Sequence, residues 1–165
     1  MLWADFASTG RLLGCNLMSS PGEWDEALGG PAWPLVEVRK GRMRRDYGVV
    51  EILFENIPAG WVCVNASLLP YRITGDDGEM IPPGIRDAYG QVGADVPFSS
   101  VASEMDVRRV HYEEIADRDK FQHVRYWVDR SEVIIAVEGE GARHPGRVWS
   151  LGRANDAKVW RRPQM

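Results

Sequence analysis

Several residue patterns that signal a specific chemistry are absent from this sequence of 165 residues. Its two cysteines, Cys15 and Cys63, are too few for a disulfide framework, and their surroundings lack the spacing of a metal site. The three histidines do not fall into the H-x-x-x-H or H-E-x-x-H spacing of zinc ligands. We therefore expect free buried thiols, as in a reducing cytosol, and no bound metal ion.

Motifs of catalysis and nucleotide binding are absent as well. No serine lies in a G-x-S-x-G elbow, and the chain has no G-x-G-x-x-G or G-x-x-x-x-G-K-[ST] loop. An acid–base pair of carboxylates can leave no local motif, but Asp46, Glu51, Asp129 and Glu138 lie at turns or on the outward side of strands. We interpret these four as a solvated polar face and predict neither an enzyme nor a cofactor site.

Long apolar runs and clusters of basic residues are the remaining absences. Nowhere do 18 apolar residues run together, so the sequence predicts no transmembrane helix and no membrane partner. The net charge is −4, and lysine and arginine are spread along the chain. A nucleic-acid partner is therefore not expected, because such binders concentrate positive charge on one surface.

The hydrophobic content of 44% is enough for one well-buried core, so we predict a single domain over residues 1–165. At the N-terminus, Leu2, Trp3 and Phe6 predict a short helix that is broken at Gly10.

The segment "SSPGEWDEALGGP" predicts a second helix with clear end signals. Ser20 can cap the first turn, and Pro21 suits the first helical position. Glu23 and Asp25 favour the positive end of the helix, and Gly29 can supply a left-handed C-cap. This pattern indicates a short helix just before the first strands.

Strands follow in "LVEVRKGRMRRDYGVVEILFENIPAGWVCVNASLL", where apolar and polar residues alternate. Gly41, Gly48 and the segment 58–60 supply turns between neighbouring strands. Short turns join antiparallel strands, so this region predicts an antiparallel meander.

The second part of the chain repeats this order of elements. Residues 73–97 are rich in glycine, proline and aspartate and predict a connector. After it, "FSSVASEMD" predicts a helix capped by Ser99 or Ser100, and "VRRVHYEEI" a strand through Val107, Val110 and Tyr112. "FQHVRYWV", "SEVIIAVEGE" and "GRVWSLGRA" predict three further strands. The predicted fold is α+β, with two similar halves at about 17–72 and 98–153 that each pack a short helix on an antiparallel meander and share one core.

The seven tryptophans divide into two groups by their position in this pattern. Those predicted to pack in the core are Trp24, Trp61, Trp127 and Trp149. Those in predicted loops or near the termini, and therefore candidates for exposure, are Trp3, Trp33 and Trp160. Exposed tryptophan is enriched at binding hot spots, so Trp33 is a candidate partner-binding residue.

The helix ending in "LGGP", the meander and the segment "RRDYGVVEILFE" together resemble small actinobacterial proteins that are encoded beside secreted polymorphic toxins and regarded as immunity proteins. In that family, a helix ending in Leu-Gly-x-Pro precedes a strand reading Arg-x-Asp-Tyr-Gly. Arg44 to Gly48 match this pattern, and "YWVDRSEVIIAV" is similar to the family's aromatic-valine strand. The resemblance spans most of residues 17–153. It implies a cytoplasmic, non-enzymatic inhibitor that binds and occludes a cognate protein toxin.

Acidic residues are the other candidates for contact with such a toxin, since they would complement a basic surface. They lie in the connector and near a predicted hairpin tip, and they are Asp76, Asp77, Glu79, Glu138 and Glu140. Two alternatives stay open at this stage. One is a regulatory adaptor that binds a different protein, and the other is a small-molecule-binding or enzymatic domain with a pocket between the halves.

Overall fold

A single antiparallel sheet organises the protein in the computed structural model, which describes residues 1–30, 32–73, 80–115 and 123–154. The described helices are α1 (Leu2–Thr9), α2 (Pro21–Leu28), α3 (Pro83–Tyr89) and α4 (Phe98–Val107). The described strands are β1 (Leu35–Arg39), β2 (Arg42–Asp46), β3 (Val50–Ile57), β4 (Gly60–Leu68), β5 (Tyr112–Ile115), β6 (His123–Val128), β7 (Val133–Glu138) and β8 (Val148–Ala154). The predicted α+β class is therefore confirmed.

The eight strands follow the order β1-β2-β3-β4-β8-β7-β6-β5. Strands β1 to β4 form one antiparallel meander, and β5 to β8 form another. The two meanders meet where β4 pairs with β8, with Leu68 opposite Leu151 and Asn65 opposite Ala154. The centre of the sheet is thus built from strands that are far apart in the sequence.

Local sequence signals explain the hairpin between β1 and β2. Its two loop residues, Lys40 and Gly41, have φ angles of 49° and 76°. Two consecutive positive φ values are typical of a type I′ turn, whose twist matches that of the flanking strands. The turn aligns Arg39 with Arg42 and so sets the register of both strands.

Helix α2 begins and ends at the positions that its sequence predicts. The side chain of Ser20 accepts a hydrogen bond from the Glu23 amide, and the Glu23 carboxylate accepts one from the Ser20 amide at 2.7 Å. Gly29 ends the helix with a φ of 134°, and a Cβ there would lie 2.7 Å from Pro83 Cδ. Asp25 does not act at the helix start, because its carboxylate binds side chains of β2, as described below.

Two elements of the middle region differ from the prediction. The connector 73–97 contains α3, a seven-residue helix that starts with Pro83 and buries only Ile85. The proline and glycine residues at its ends are also typical of loops, and the helix is too short to show periodicity. The sequence therefore predicted a connector here. Helix α4 begins at Phe98 without a serine cap and continues to Val107, where a strand was predicted.

The core lies between the helices and one face of the sheet. Strands β3 and β7 contribute alternate residues to it, as in Val50, Ile52 and Phe54. Trp3, predicted to be a candidate for exposure, is buried in α1, which contacts β7 and β8. Cys15 and Cys63 are buried free thiols, as predicted.

Candidate functional site

Strand β2 presents different side chains to the two faces of the sheet. Met43 belongs to the core, and the alternation of a strand directs Arg45 to the same side. Arg44 and Asp46 lie on the opposite side, together with Glu51 of β3, which pairs with Asp46. We call the face that carries these three residues the open face.

An ionic cluster of Arg44, Asp46, Glu51 and Arg72 lies on the open face. Arg44 donates to Glu51 Oε2 at 2.8 Å and to Asp46 Oδ2 at 2.6 Å. Arg72 donates to both Asp46 oxygens at 3.1 Å and to Glu51 at 3.1 Å. The hydrogen bond with Glu51 raises the pKa of Arg44 above its ordinary value. Each carboxylate therefore binds two guanidinium groups, and all four side chains hold one another in place.

An aromatic stack of Tyr71, Trp149 and His123 adjoins the ionic cluster. The rings of Tyr71 and Trp149 are nearly parallel, with centroids 4.1 Å apart. His123 stacks on Trp149 at 5.3 Å, and the Arg72 guanidinium lies 5.9 Å from the centre of the Tyr71 ring. Tyr71 is 40% exposed, so the stack ends in an aromatic surface that contacts solvent.

Two irregularities of the backbone position this site. A 3₁₀ turn, Pro70–Arg72, follows β4 and brings Tyr71 and Arg72 over the sheet, where the turn contacts β8. In β8, Trp149 occupies a break in the register, between Ser150 opposite Ala136 and Val148 opposite Val137. The site thus combines residues from both meanders at the junction of β4 and β8.

The groups of this site are suited to binding. Two arginines and two carboxylates balance in charge and already satisfy one another through hydrogen bonds. In the described ranges, no group of three histidine, cysteine, aspartate or glutamate side chains is placed to hold a metal ion. A rigid patch that combines an exposed aromatic ring with oriented charges is typical of a protein-binding surface.

A second polar cluster lies on the helix side of the same strand. Asp25 of α2 accepts hydrogen bonds from the Tyr47 hydroxyl at 2.6 Å and from the Arg45 guanidinium. Arg45 also donates to the Pro21 carbonyl at 3.2 Å. Tyr47 is fully buried, and burial is the main cause that raises its pKa above the ordinary value. This cluster fastens α2 to the sheet.

The structure describes three of the six partner-binding residues that the sequence predicts. Trp33 is 37% exposed in the loop before β1 and has no ring contact with another described aromatic side chain. Glu138 ends β7 opposite His123, and its carboxylate accepts a hydrogen bond from the His144 amide at 2.8 Å. Glu140 is exposed in the turn that follows. Asp76, Asp77 and Glu79 lie outside the described residues.

Sequence reasoning missed the aromatic stack and assigned Trp149 to the core. Trp149 is instead half-buried on the open face. Asp46 and Glu51 were predicted to be solvated, whereas both are half-buried and bound to Arg44 and Arg72. The alternation in "RRDYG" does indicate that Arg44 and Asp46 share a face, but it does not indicate that Arg72 joins them.

Comparisons with known proteins do not assign a function to this site. No protein-family model matches the chain, and neither characterised proteins nor solved structures gave a significant match.

No helix in the described part of the chain is long and apolar enough to cross a membrane.

Proposed function

We propose that this protein is a non-enzymatic immunity protein that binds a cognate protein toxin in the cytosol and occludes it. The observation that carries the proposal is the open-face site, in which an aromatic stack that ends in the exposed ring of Tyr71 adjoins a preformed ionic cluster. The resemblance of Arg44 to Gly48 and neighbouring segments to immunity proteins of polymorphic toxin systems supports the same function.

The geometry of this site suits tight inhibition. Tyr71 and Trp149 offer a large aromatic contact area that is already held by stacking, so little side-chain freedom is lost on binding. The cluster of Arg44, Arg72 and their carboxylates is also ordered in advance by hydrogen bonds. Pre-ordered contacts slow dissociation, which an inhibitor of a lethal toxin requires.

We further propose that the chain contains two similar halves, at about 17–72 and 98–153, that share the core. Each half contains a helix and a four-stranded meander, and the halves adjoin through β4 and β8. Superposition of residues 20–70 on residues 98–152 tests this proposal. The four strands of each half should match in order and direction, and a different match of strands would contradict the duplication.

The test of function is co-expression with the toxin encoded by the neighbouring gene in a sensitive host. We expect the wild-type chain to restore growth, and we expect the Tyr71→Ala/Trp149→Ala variant to lose at least about tenfold in toxin affinity. Trp33→Ala is the matched control, because it removes an exposed tryptophan outside the open-face site. A larger loss of toxin affinity in Trp33→Ala would instead place the interface at the loop before β1.

A regulatory adaptor is the alternative function, and the same experiment distinguishes it. An adaptor would bind another protein and leave the growth of the toxin-expressing host unchanged. Growth that is no better with the wild-type chain than without it would contradict the immunity function. The open-face variant would then be used to identify the true partner by loss of binding.

A further inference from the structure

Strand β1 forms one edge of the sheet and is exposed along its whole length. The exposed fractions of Leu35, Val36 and Val38 are 63%, 43% and 63%. Among the described strands, the outer backbone groups of β1 have no ladder partner, and an exposed apolar edge strand of this kind is a template for pairing with another strand.

The opposite edge of the sheet is different. The described part of strand β5 has four residues, and its exposed side chains are those of Glu113 and Glu114. Charged side chains on an edge strand protect it against pairing. The contrast identifies β1 as the edge that is open to association.

The turn between β1 and β2 determines which backbone groups of β1 face outward. In a two-residue hairpin, the residues that flank the turn form a hydrogen-bonded pair, so Arg39 directs its amide and carbonyl towards Arg42. Alternation then directs the amides and carbonyls of Val36 and Val38 away from β2. These are the groups that a new strand would pair with.

The charges of β1 are complementary to those of a second antiparallel copy. Glu37 is 60% exposed and pairs with Arg44 at 3.3 Å. Arg39 lies opposite Arg42, which itself pairs with Glu55. Arg39 makes no ion pair with any residue that the structure describes, so its guanidinium is available to an external carboxylate.

We propose that two copies of this protein associate through antiparallel pairing of their β1 strands, with the twofold axis at Val38. In this register, Glu37 lies opposite the partner's Arg39, and Arg39 lies opposite the partner's Glu37. Val38 lies opposite the partner's Val38 as a hydrogen-bonded pair, which agrees with the outward direction of its backbone groups. A twofold pairing of this kind is closed and stops at the dimer.

The alternative register, with the axis at Glu37, is less favourable. It also uses the outward groups of Val36 and Val38, but it places Glu37 directly opposite the partner's Glu37. Like charges that face each other across strands destabilise the pair. Electrostatics therefore selects the register centred on Val38.

Sedimentation equilibrium of the purified full chain tests the proposal. We expect a wild-type dimer with a dissociation constant between about 1 μM and 1 mM. The Glu37→Arg chain and the Arg39→Glu chain should each dissociate at least about tenfold more readily, because each places like charges opposite one another. An equimolar mixture of these two variants should dimerise again, within about threefold of wild type, since opposite charges then meet at both positions.

Control variants separate pairing from misfolding. Val38→Lys should abolish dimerisation, whereas Val107→Lys, at a 79% exposed position on α4, should leave it unchanged. Far-UV circular dichroism checks that each chain is folded. A wild-type chain that stays monomeric up to about 1 mM, or a variant mixture that stays monomeric, would overturn the proposal.

Discussion

Arg44 and Arg45 are neighbours in β2, but they belong to different parts of the molecule. The Arg45 guanidinium binds Asp25 beneath α2, beside the buried hydroxyl of Tyr47. The Arg44 guanidinium binds Asp46 and Glu51 on the open face, where its side chain is 33% exposed. One residue type thus forms a largely buried link between helix and sheet and a half-exposed surface cluster.

The difference between the two arginines lies in the cost of breaking each cluster. A buried ion pair that loses one partner leaves a charge without compensation in a medium of low polarity. A half-exposed pair is screened by water, so its loss changes the free energy of unfolding little. We therefore expect the cluster on the helix side to contribute more to the free energy of unfolding, and the open-face cluster to contribute mainly to the binding of a partner.

Asp25→Ala is expected to have the largest effect on stability. It removes the acceptor of both Arg45 and Tyr47, and we expect the free energy of unfolding to fall by about 3–5 kcal/mol. Urea unfolding measures this change, and Asp87→Ala at an exposed position of α3 is the control. A loss below about 1 kcal/mol would mean that the cluster does not fasten α2 to the sheet.

Tyr47→Phe isolates the hydroxyl of the buried cluster, because the ring and the pair of Arg45 with Asp25 remain. We expect a loss of about 1.5–3 kcal/mol, the range for a hydrogen bond to a charged group. Tyr71→Phe provides the comparison on the open face and should change stability by less than about 0.5 kcal/mol. Equal losses in the two variants would remove the distinction between the faces.

The thiol of Cys63 in β4 faces the core and should make the free energy of unfolding depend on pH. Burial raises the pKa of Cys63 from 9.0 to about 12. Because the folded pKa lies above the unfolded one, this contribution is fully present below pH 9.0 and is lost as the pH rises towards about 12. In this range, we expect the unfolding free energy of Cys63→Ala to fall less steeply with pH than that of wild type. The two slopes should differ by up to about 1.4 kcal/mol per pH unit. Parallel curves for the variant and wild type would contradict this.

Glu51→Gln is expected to have a small effect on stability, although Glu51 binds both Arg44 and Arg72. We expect a loss of about 1 kcal/mol or less that shrinks further at high salt. Glu55→Gln is the control, because Glu55 pairs with a single exposed arginine, Arg42. If Glu51→Gln destabilises as much as Asp25→Ala, the open-face cluster is part of the folding core.

The sequence by itself determined the local elements of this protein. Ser20, Pro21 and Gly29 predicted the limits of α2, and the alternation around Gly41 and Gly48 predicted the strands of the first meander. These features follow from hydrogen bonds and side-chain directions within a few residues, so a local pattern contains the required information. The short helix α3 was missed because seven residues around one buried isoleucine show no period.

Only the tertiary structure decided where the candidate site lies. Arg72 reaches Asp46 across 26 positions of the chain, and Tyr71 stacks on Trp149 because β4 pairs with β8. The contact of Arg45 with Asp25 was decided in the same way, by the packing of α2 against β2. Sequence periodicity predicts the face to which a side chain points, but its partners depend on which strands and helices meet, and those contacts join residues far apart in the chain.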